Sequence, residues 1–361
     1  MGFDRNFGAK WRPSKKLQHL SECDTGLSGG GYLTDLAVEA NELVQRASRA
    51  QVPGVSSQVE EMDFGSITRV RVQTEQAARS LGKAVGNYVT IDAPELPLRD
   101  KGLQEDVSEA LARELVSLIR ANFNNVDFWT IPDFTTLVCG LGNWNATPDA
   151  VGPMVAGEVL VTRHVYSLTP PEKRGGLKSV AALSPGVLGL TGVETAEIIA
   201  GVVARVRPHL IIVVDALAAR SVSRLGTTIQ ISDAGIQPGS GVGNRRFGIN
   251  RESMGIPVIA VGVPTVVHAL TIISDALEIV GSSQQPGVGR SAAGPLSELG
   301  VGQPGLPPAV AQMLQPYFGT LIVTPKEVDV LVKELSHVVA GGINYALHPA
   351  IDEDEIYLYL Q

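Results

Sequence analysis

Apolar residues in this chain fall into two patterns. In the first they form short unbroken runs: Thr136-Leu-Val-Cys139, Val180 to Leu183, Leu210-Ile-Ile-Val-Val214, Thr227 to Ile231 and Pro257 to Val261. Unbroken runs of this length predict strands buried on both faces. In the second they recur every three or four positions. Leu103, Val107, Ala110, Leu111, Leu115, Leu118 and Ile119 do so across 103–123 and predict an amphipathic helix. Strand and helix patterns alternate through the middle of the chain. The prediction is an α/β fold with a mostly parallel (mixed) sheet and helices on both faces.

The remaining elements are read from their boundaries. Ile67 to Val72 and Tyr88 to Ile91 predict short strands closed by Pro94 and Pro97. A helix is expected to open at Thr34 or Asp35. Val155 to His164 predicts all or part of another. Thr191-Gly-Val-Glu194 has the spacing of a capping box and predicts a helix over 192–206, ended by Pro208. Thr265 to Val280 predicts a helix, and Leu321-Ile-Val323 a last short strand. Thr324-Pro325-Lys-Glu327 reads as a second capping box, with a helix that stops at Gly341-Gly342. Residues 1–35 are polar and glycine-rich, and form an expected flexible arm ahead of one domain over 36–361. Residues 281–308 are a low-complexity stretch of Gly, Pro, Ser and Gln, expected to be a loop or flap within that domain.

Composition narrows the functional classes. The 361-residue chain is 44% hydrophobic, enough for a sizeable core, and carries a net charge of −8. That balance argues against direct binding of nucleic acid through a basic surface. No apolar run reaches the roughly 18 residues of a membrane span, and the first 30 residues hold no secretory signal core. A cytoplasmic chain is expected, with no membrane partner. Cys23 and Cys139 need no disulfide, and Cys139 reads as a small buried hydrophobe.

Two runs end in a carboxylate. The stretch Gly140-Leu-Gly-Asn-Trp-Asn-Ala-Thr-Pro-Asp149 follows the first apolar run, and Asp215 directly follows Val214. In open α/β sheets ligands bind beyond the carboxyl ends of the strands. Two carboxylates brought together there share a proton. The ionised one can take a proton from water while the protonated one polarises a carbonyl. The plain alternative is that each Asp closes a turn, as Asp often does after a strand. Competing chemistries find less support. Gly-x-Ser-x-Gly, His-Glu-x-x-His, Cys-x-x-Cys and Gly-Lys-Ser/Thr motifs are absent. Gly140-Leu-Gly142 lacks the third glycine of a dinucleotide loop, and Asp24-Thr25-Gly26 lacks the apolar strands that a pepsin-like site needs. The Gly239 to Gly243 loop with Arg245-Arg246 reads as a mobile active-site loop or an intersubunit contact rather than an anion site. The six histidines are scattered, and His164 stands out only because it follows the Asp149 segment.

Longer motifs are more specific. Thr34-Asp-Leu-Ala-Val-Glu-Ala40, Gly140-Leu-Gly-Asn143, Thr147-Pro-Asp-Ala150, Leu160-Val-Thr-Arg-His164, Thr191-Gly-Val-Glu194 and Asp215-Ala-Leu-Ala-Ala-Arg-Ser221 occur in order. So do Thr228-Ile-Gln-Ile-Ser-Asp, Pro238-Gly-Ser-Gly-Val-Gly-Asn244, Gly255-Ile-Pro-Val-Ile-Ala260, Val323-Thr-Pro-Lys-Glu-Val-Asp329 and Val339-Ala-Gly-Gly-Ile-Asn344. With these the chain resembles the germination protease family of endospore-forming bacteria, from about residue 32 to 348.

The resemblance implies an atypical aspartic endopeptidase that degrades small acid-soluble spore proteins in the spore core. It implies catalytic roles for Asp149 and Asp215 and no metal or other cofactor. Arg163, His164 and Asn143, in the matching stretches, are candidates to support the pair. It also implies a homotetrameric zymogen that cleaves itself. Family cleavage sites carry an acidic residue, a bulky apolar one and then Ala, so the expected bond is Asp35–Leu36. The long prosegment and the short, Gly/Pro-rich 281–308 region depart from the family pattern. A more distant similarity, in Gly-x-Gly-Asn and the acidic residue after it, is to the hydrogenase maturation endopeptidases and their phosphorylase/hydrolase-like fold. That similarity supplies the alternative of a metal-dependent processing peptidase. A further alternative is a catalytically silent binder of spore proteins.

Overall fold

The computed structural model describes residues 34–48, 51–98, 100–174, 177–237, 247–282, 308–319 and 321–349. Nearly all of the expected prosegment lies outside the described residues. So do the Gly239–Gly243 loop with Arg245-Arg246, most of 281–308 and the acidic tail.

Nine strands form a single sheet: Val55–Met62 (β1), Gly65–Val72 (β2), Gly86–Asp92 (β3), Thr135–Gly140 (β4), Ser179–Leu183 (β5), Leu210–Ala219 (β6), Thr228–Ser232 (β7), Val258–His268 (β8) and Ile322–Val323 (β9). Their order is β1-β2-β3-β7-β8-β6-β4-β5, with β9 against the end of β8. The β8-β6-β4-β5 portion is parallel, and the other five pairings are antiparallel. The sheet is therefore mixed, and not mostly parallel as the alternating pattern predicted. Part of the reason is local. β1 and β2 join through a two-residue turn, and a tight hairpin leaves no length for a parallel crossover.

The helices are Ala37–Ser48 (α1), Glu75–Leu81 (α2), Lys101–Asn122 (α3), Val151–Glu158 (α4), Arg163–Leu168 (α5), Thr195–Val206 (α6), Ala269–Ser282 (α7), Pro308–Phe318 (α8) and Val328–Leu347 (α9), with four-residue turns of helix at Leu188–Thr191 and Arg251–Met254. Alternation along the strands divides the core between two faces. Val138, Ile212, Val214 and Val261 face Leu111 and Leu115 of α3, Val155 of α4 and Ile343 of α9. Cys139, Ile211, Val213 and Ala260 face Ile199 of α6. Truncating a fully buried residue such as Leu111 or Leu115 costs about 2–5 kcal/mol.

Several expectations need correction. Thr191 is not a helix cap. It ends the short Leu188–Thr191 helix at Gly192 (φ 72°), and α6 starts after Glu194. The predicted 265–280 helix begins only at Ala269, because Thr265 to His268 extend β8. Thr324 does not cap α9 either: its hydroxyl donates to the Thr265 carbonyl, and Glu327 occupies the N-cap. The predicted 155–164 helix is two helices, α4 and α5. Finally, α9 runs straight through Gly341-Gly342 to Leu347. Those glycines allow close packing on α3, since a Cβ at Gly342 would come within 2.7 Å of Leu111 and one at Gly341 within 3.2 Å of Ser108. Glycine costs a helix only about 1 kcal/mol, which close packing can offset.

Candidate active site

Asp149 sits on the turn after β4, at the end of a single 3-10 turn, Thr147–Asp149. The chain folds back there against its own strand. The Asn143 N–H lies 2.9 Å from Asp149 Oδ2 and 3.1 Å from the Asp149 carbonyl oxygen, so it is shared between them. The Asn143 side chain in turn accepts from the Asn145 N–H at 2.9 Å. Gly142, at φ 112°, makes the fold-back sterically possible. A Cβ there would stand 2.0 Å from the Asp149 carbonyl oxygen, and φ in this region favours glycine. Thr265 of β8 closes the turn from the other side, donating to the Pro148 carbonyl at 2.6 Å.

Asp215 is placed differently. It is buried, with 6% of its surface exposed, and it lies in the middle of β6 rather than at its end. The prediction that a strand ends at Val214 is therefore corrected. β8 continues alongside, so pairing holds β6 extended to Ala219, with a register shift between Leu217 and Ala218. The carboxyl end of β4 is nevertheless level with Asp215, because Gly140 pairs with Val214. Gly152, at the start of α4, is wedged between these strands. A Cβ on it would lie 2.2 Å from the Leu141 carbonyl oxygen and 2.5 Å from that of Val214. The turn carrying Asp149 is thus seated on the residue before Asp215, and both carboxylates occupy the carboxyl edge of β4.

The segment 34–39 crosses the same region. The Asp35 N–H donates to the Ala218 carbonyl at 2.8 Å, and the Ala218 N–H donates to Asp35 Oδ2 at 2.9 Å. Leu36 is fully buried and packs with Leu217, Ala219, Leu225 and Val267. The Lys83 ammonium donates to the Thr34 carbonyl at 2.9 Å. Burial lowers its pKa, and the charges of Asp35 and Glu39 oppose that shift. Glu39 accepts from the backbone N–H groups of Arg220 and Ser221 and from the Thr34 hydroxyl. Gln230 spans the expected bond, donating to the Asp35 carbonyl at 3.1 Å and accepting from the Ala37 N–H at 2.7 Å. Sequence reasoning singled out neither Lys83 nor Gln230. The signal for Gln230 was its place in the matching stretch Thr228-Ile-Gln-Ile-Ser-Asp, where it alternates with two isoleucines.

Of the supporting candidates, the structure brings only Asn143 to Asp149. Arg163 and His164 are exposed on α5. The residue before that helix, Thr162, bonds Lys178 and Val180 at the amino end of β5. Tyr166 reaches Asp133, just ahead of β4. α4 has carried the chain from the carboxyl edge to the opposite edge, which separates His164 from the aspartates. Cys139 is buried, and burial pushes its thiol up to about 12, so it is no nucleophile. Among the described residues, no group of three or more His, Cys, Asp or Glu is arranged to hold a metal ion.

A model of the germination protease family matches residues 34–283 and 308–360. The chain belongs to the germination protease family. The germination protease of Caldanaerobacter subterraneus subsp. tengcongensis is 45% identical over 326 residues, covering 90% of this chain and 97% of that one. That of Clostridium perfringens is 42% identical, covering 91% and 98%, and that of Bacillus cereus is 38% identical, covering 92% and 98%. Among solved structures, a NiFe hydrogenase maturation protease from Thermococcus kodakarensis KOD1 aligns over 60% of this chain and 96% of its own. Its identity is 18% and its TM-score 0.28, a likeness too slight to carry an argument. As a member of that family the chain is a germination protease. No helix among the described residues is long and apolar enough to cross a membrane.

Proposed function

We propose that this germination protease is a metal-independent aspartic endopeptidase in which Asp149 and Asp215 activate one water molecule. The ionised carboxylate takes a proton from water as the oxygen attacks the scissile carbonyl. The protonated partner donates to the carbonyl oxygen, and the proton is returned to the leaving amine. The observation that carries the reading is the seat of Gly152 against the Leu141 and Val214 carbonyls, which holds the Asp149 turn on the residue before Asp215. Asp149 is half-buried on its turn, and Asp215 is buried within β6.

The finer reading adds a zymogen, with residues 1–35 removed by cleavage of Asp35–Leu36, and a homotetramer in the spore core. The test is incubation of the full chain with a small acid-soluble spore protein, followed by sequencing of new termini. Cleavage after an acidic residue and a new terminus at Leu36 are the expected results. An intact spore protein and an intact chain would contradict them. The metal-dependent alternative uses Asp149 and Asp215, with His164 only as an additional candidate, and α5 carries His164 away from the pair. It remains separable by experiment: activity that disappears on exhaustive chelation and returns with a transition metal would replace the aspartic mechanism.

A further inference from the structure

Strand pairing sets a row of polar residues across the sheet. Thr68 of β2 pairs with Thr90 of β3, Thr90 with Gln230 of β7, Gln230 with Gly262 of β8, and Gly262 with Asp215 of β6. Directly paired residues project to the same face. The neighbours agree: Ile229 and Ile231 face α3 and α9, as do Val261 and Val263, which leaves Gln230 and Gly262 on the other face beside Asp215. Thr68, Thr90, Gln230 and Asp215 are all buried. Buried polar side chains are costly unless they find hydrogen-bond partners.

Gln230 finds its partners in the chain's own segment 34–37. Gln230 and Asp215 stand two strands apart, a Cα separation of roughly 10 Å, with Gly262 between them. A Cβ at Gly262 would clash at 2.3 Å with the Leu217 side chain, which fills that gap. Leu36 packs on this leucine. Asp35 is held at Ala218, three residues beyond Asp215, and its carbonyl oxygen bonds the Gln230 amide.

Resting on the proposed self-cleavage at Asp35–Leu36, we infer that Gln230 is the positioning residue of that reaction. Its amide clamps the peptide on both sides of the scissile bond, one hydrogen bond to the Asp35 carbonyl and one from the Ala37 N–H. The clamp fixes the bond on the sheet face that carries Asp215. Lys83 completes the seat by tethering the Thr34 carbonyl and placing a cation beside the acidic residue that precedes the cut. The reaction itself is hydrolysis. Water oxygen bonds to the Asp35 carbonyl carbon, the bond to the Leu36 nitrogen breaks, and the products are an Asp35 carboxylate and a Leu36 amine.

The experiment follows the first-order appearance of the Leu36 terminus in the full chain, by mass and terminal sequencing, for wild type, Gln230→Ala and Gln230→Glu, with thermal melting of each. Loss of a hydrogen bond at the reacting peptide is expected to slow Gln230→Ala about tenfold or more and to let the cut drift to neighbouring bonds. Gln230→Glu keeps the size and the acceptor but, when ionised, loses the donor. Its rate relative to wild type at the same pH is therefore expected to recover as the solution is acidified, because the protonated acid donates again. A merely structural role moves the melting temperature and not this pH dependence. Folded variants that cut at Asp35–Leu36 at the wild-type rate, with no added pH dependence, would overturn the inference. So would a wild-type chain that hydrolyses spore protein yet never releases Leu36. A wild-type chain that hydrolyses neither itself nor spore protein overturns the aspartate-pair reading as well, and so separates the two failures.

Discussion

Asp149 and Asp215 reach the same edge by opposite routes. Asp149 is held by local backbone: a turn of a few residues, a glycine at φ 112°, and an Asn143 N–H shared between its carbonyl and its carboxylate. Asp215 is held by long-range pairing, midway along a strand whose neighbour β8 is buried over all eleven residues. The first arrangement tolerates no extra atom on the backbone. The second depends on register and tolerates local side-chain adjustment. A site built this way joins a half-exposed carboxylate on a turn to a buried one fixed in the core.

The largest effect should treat the two alike. Asp149→Asn and Asp215→Asn are each expected to lower hydrolysis of spore protein by about a thousandfold or more, in a peptidase assay, without loss of the folded state by melting. Glycine substitutions should then set the two apart. In Gly152→Ala the new methyl meets three backbone atoms at 2.2–2.6 Å, and unfolding in urea should show a loss of about 3 kcal/mol or more. In Gly262→Ala it meets only the Leu217 side chain, the nearest atom at 2.3 Å. Leu217 can turn aside, and the same measurement should show a loss of about 1–2 kcal/mol. Equal losses would remove the distinction between backbone seat and strand register.

Two further effects lie away from both carboxylates and act as controls. His348, buried beside the Leu160 carbonyl, has its pKa lowered to about 4 by burial. Between about pH 6.5 and pH 4 the unfolded chain binds a proton here that the folded chain does not. The stability is therefore fully present above pH 6.5 and is lost as pH falls toward 4, by roughly 3 kcal/mol. Denaturant unfolding at pH 7.5 and 4.5 should show a smaller difference in His348→Gln than in wild type. Asp100 caps α3 by accepting from the Leu103 N–H at 3.0 Å, and Asp100→Ala should cost about 1 kcal/mol and leave peptidase activity unchanged.

The same contrast explains what could be read from the sequence. Unbroken apolar runs located β4, β6 and β8, because strands buried on both faces read as near-continuous apolar runs. β1 was missed because it is an edge strand, Val55-Ser-Ser-Gln-Val-Glu-Glu-Met62, with its middle six residues exposed. The end of α9 was misjudged because Gly341 and Gly342 are explained by α3, which is distant in sequence. Asp149 was legible as a carboxylate on the glycine-broken loop after β4; the close backbone approaches at Gly142 and Gly152 were not. Asp215 was legible as a residue, but not its place in mid-strand, since that depends on the length of β8. Lys83 lies in no motif, and Gln230 lies in Thr228-Ile-Gln-Ile-Ser-Asp, which gives it no role; only the register that joins β7, β8 and β6 does. His164 followed Asp149 closely in sequence, but α4 separates them across the sheet.

Whether the two carboxylates work as one unit is decided by a double-variant comparison. Hydrolysis of a small acid-soluble spore protein would be measured for Asp149→Asn, Asp215→Asn and the combined variant under identical conditions. Residues that act together lose their effect together. The account predicts that the combined variant is no slower than either single one. Losses that multiply in the combined variant, or a single variant with the wild-type rate, would contradict it.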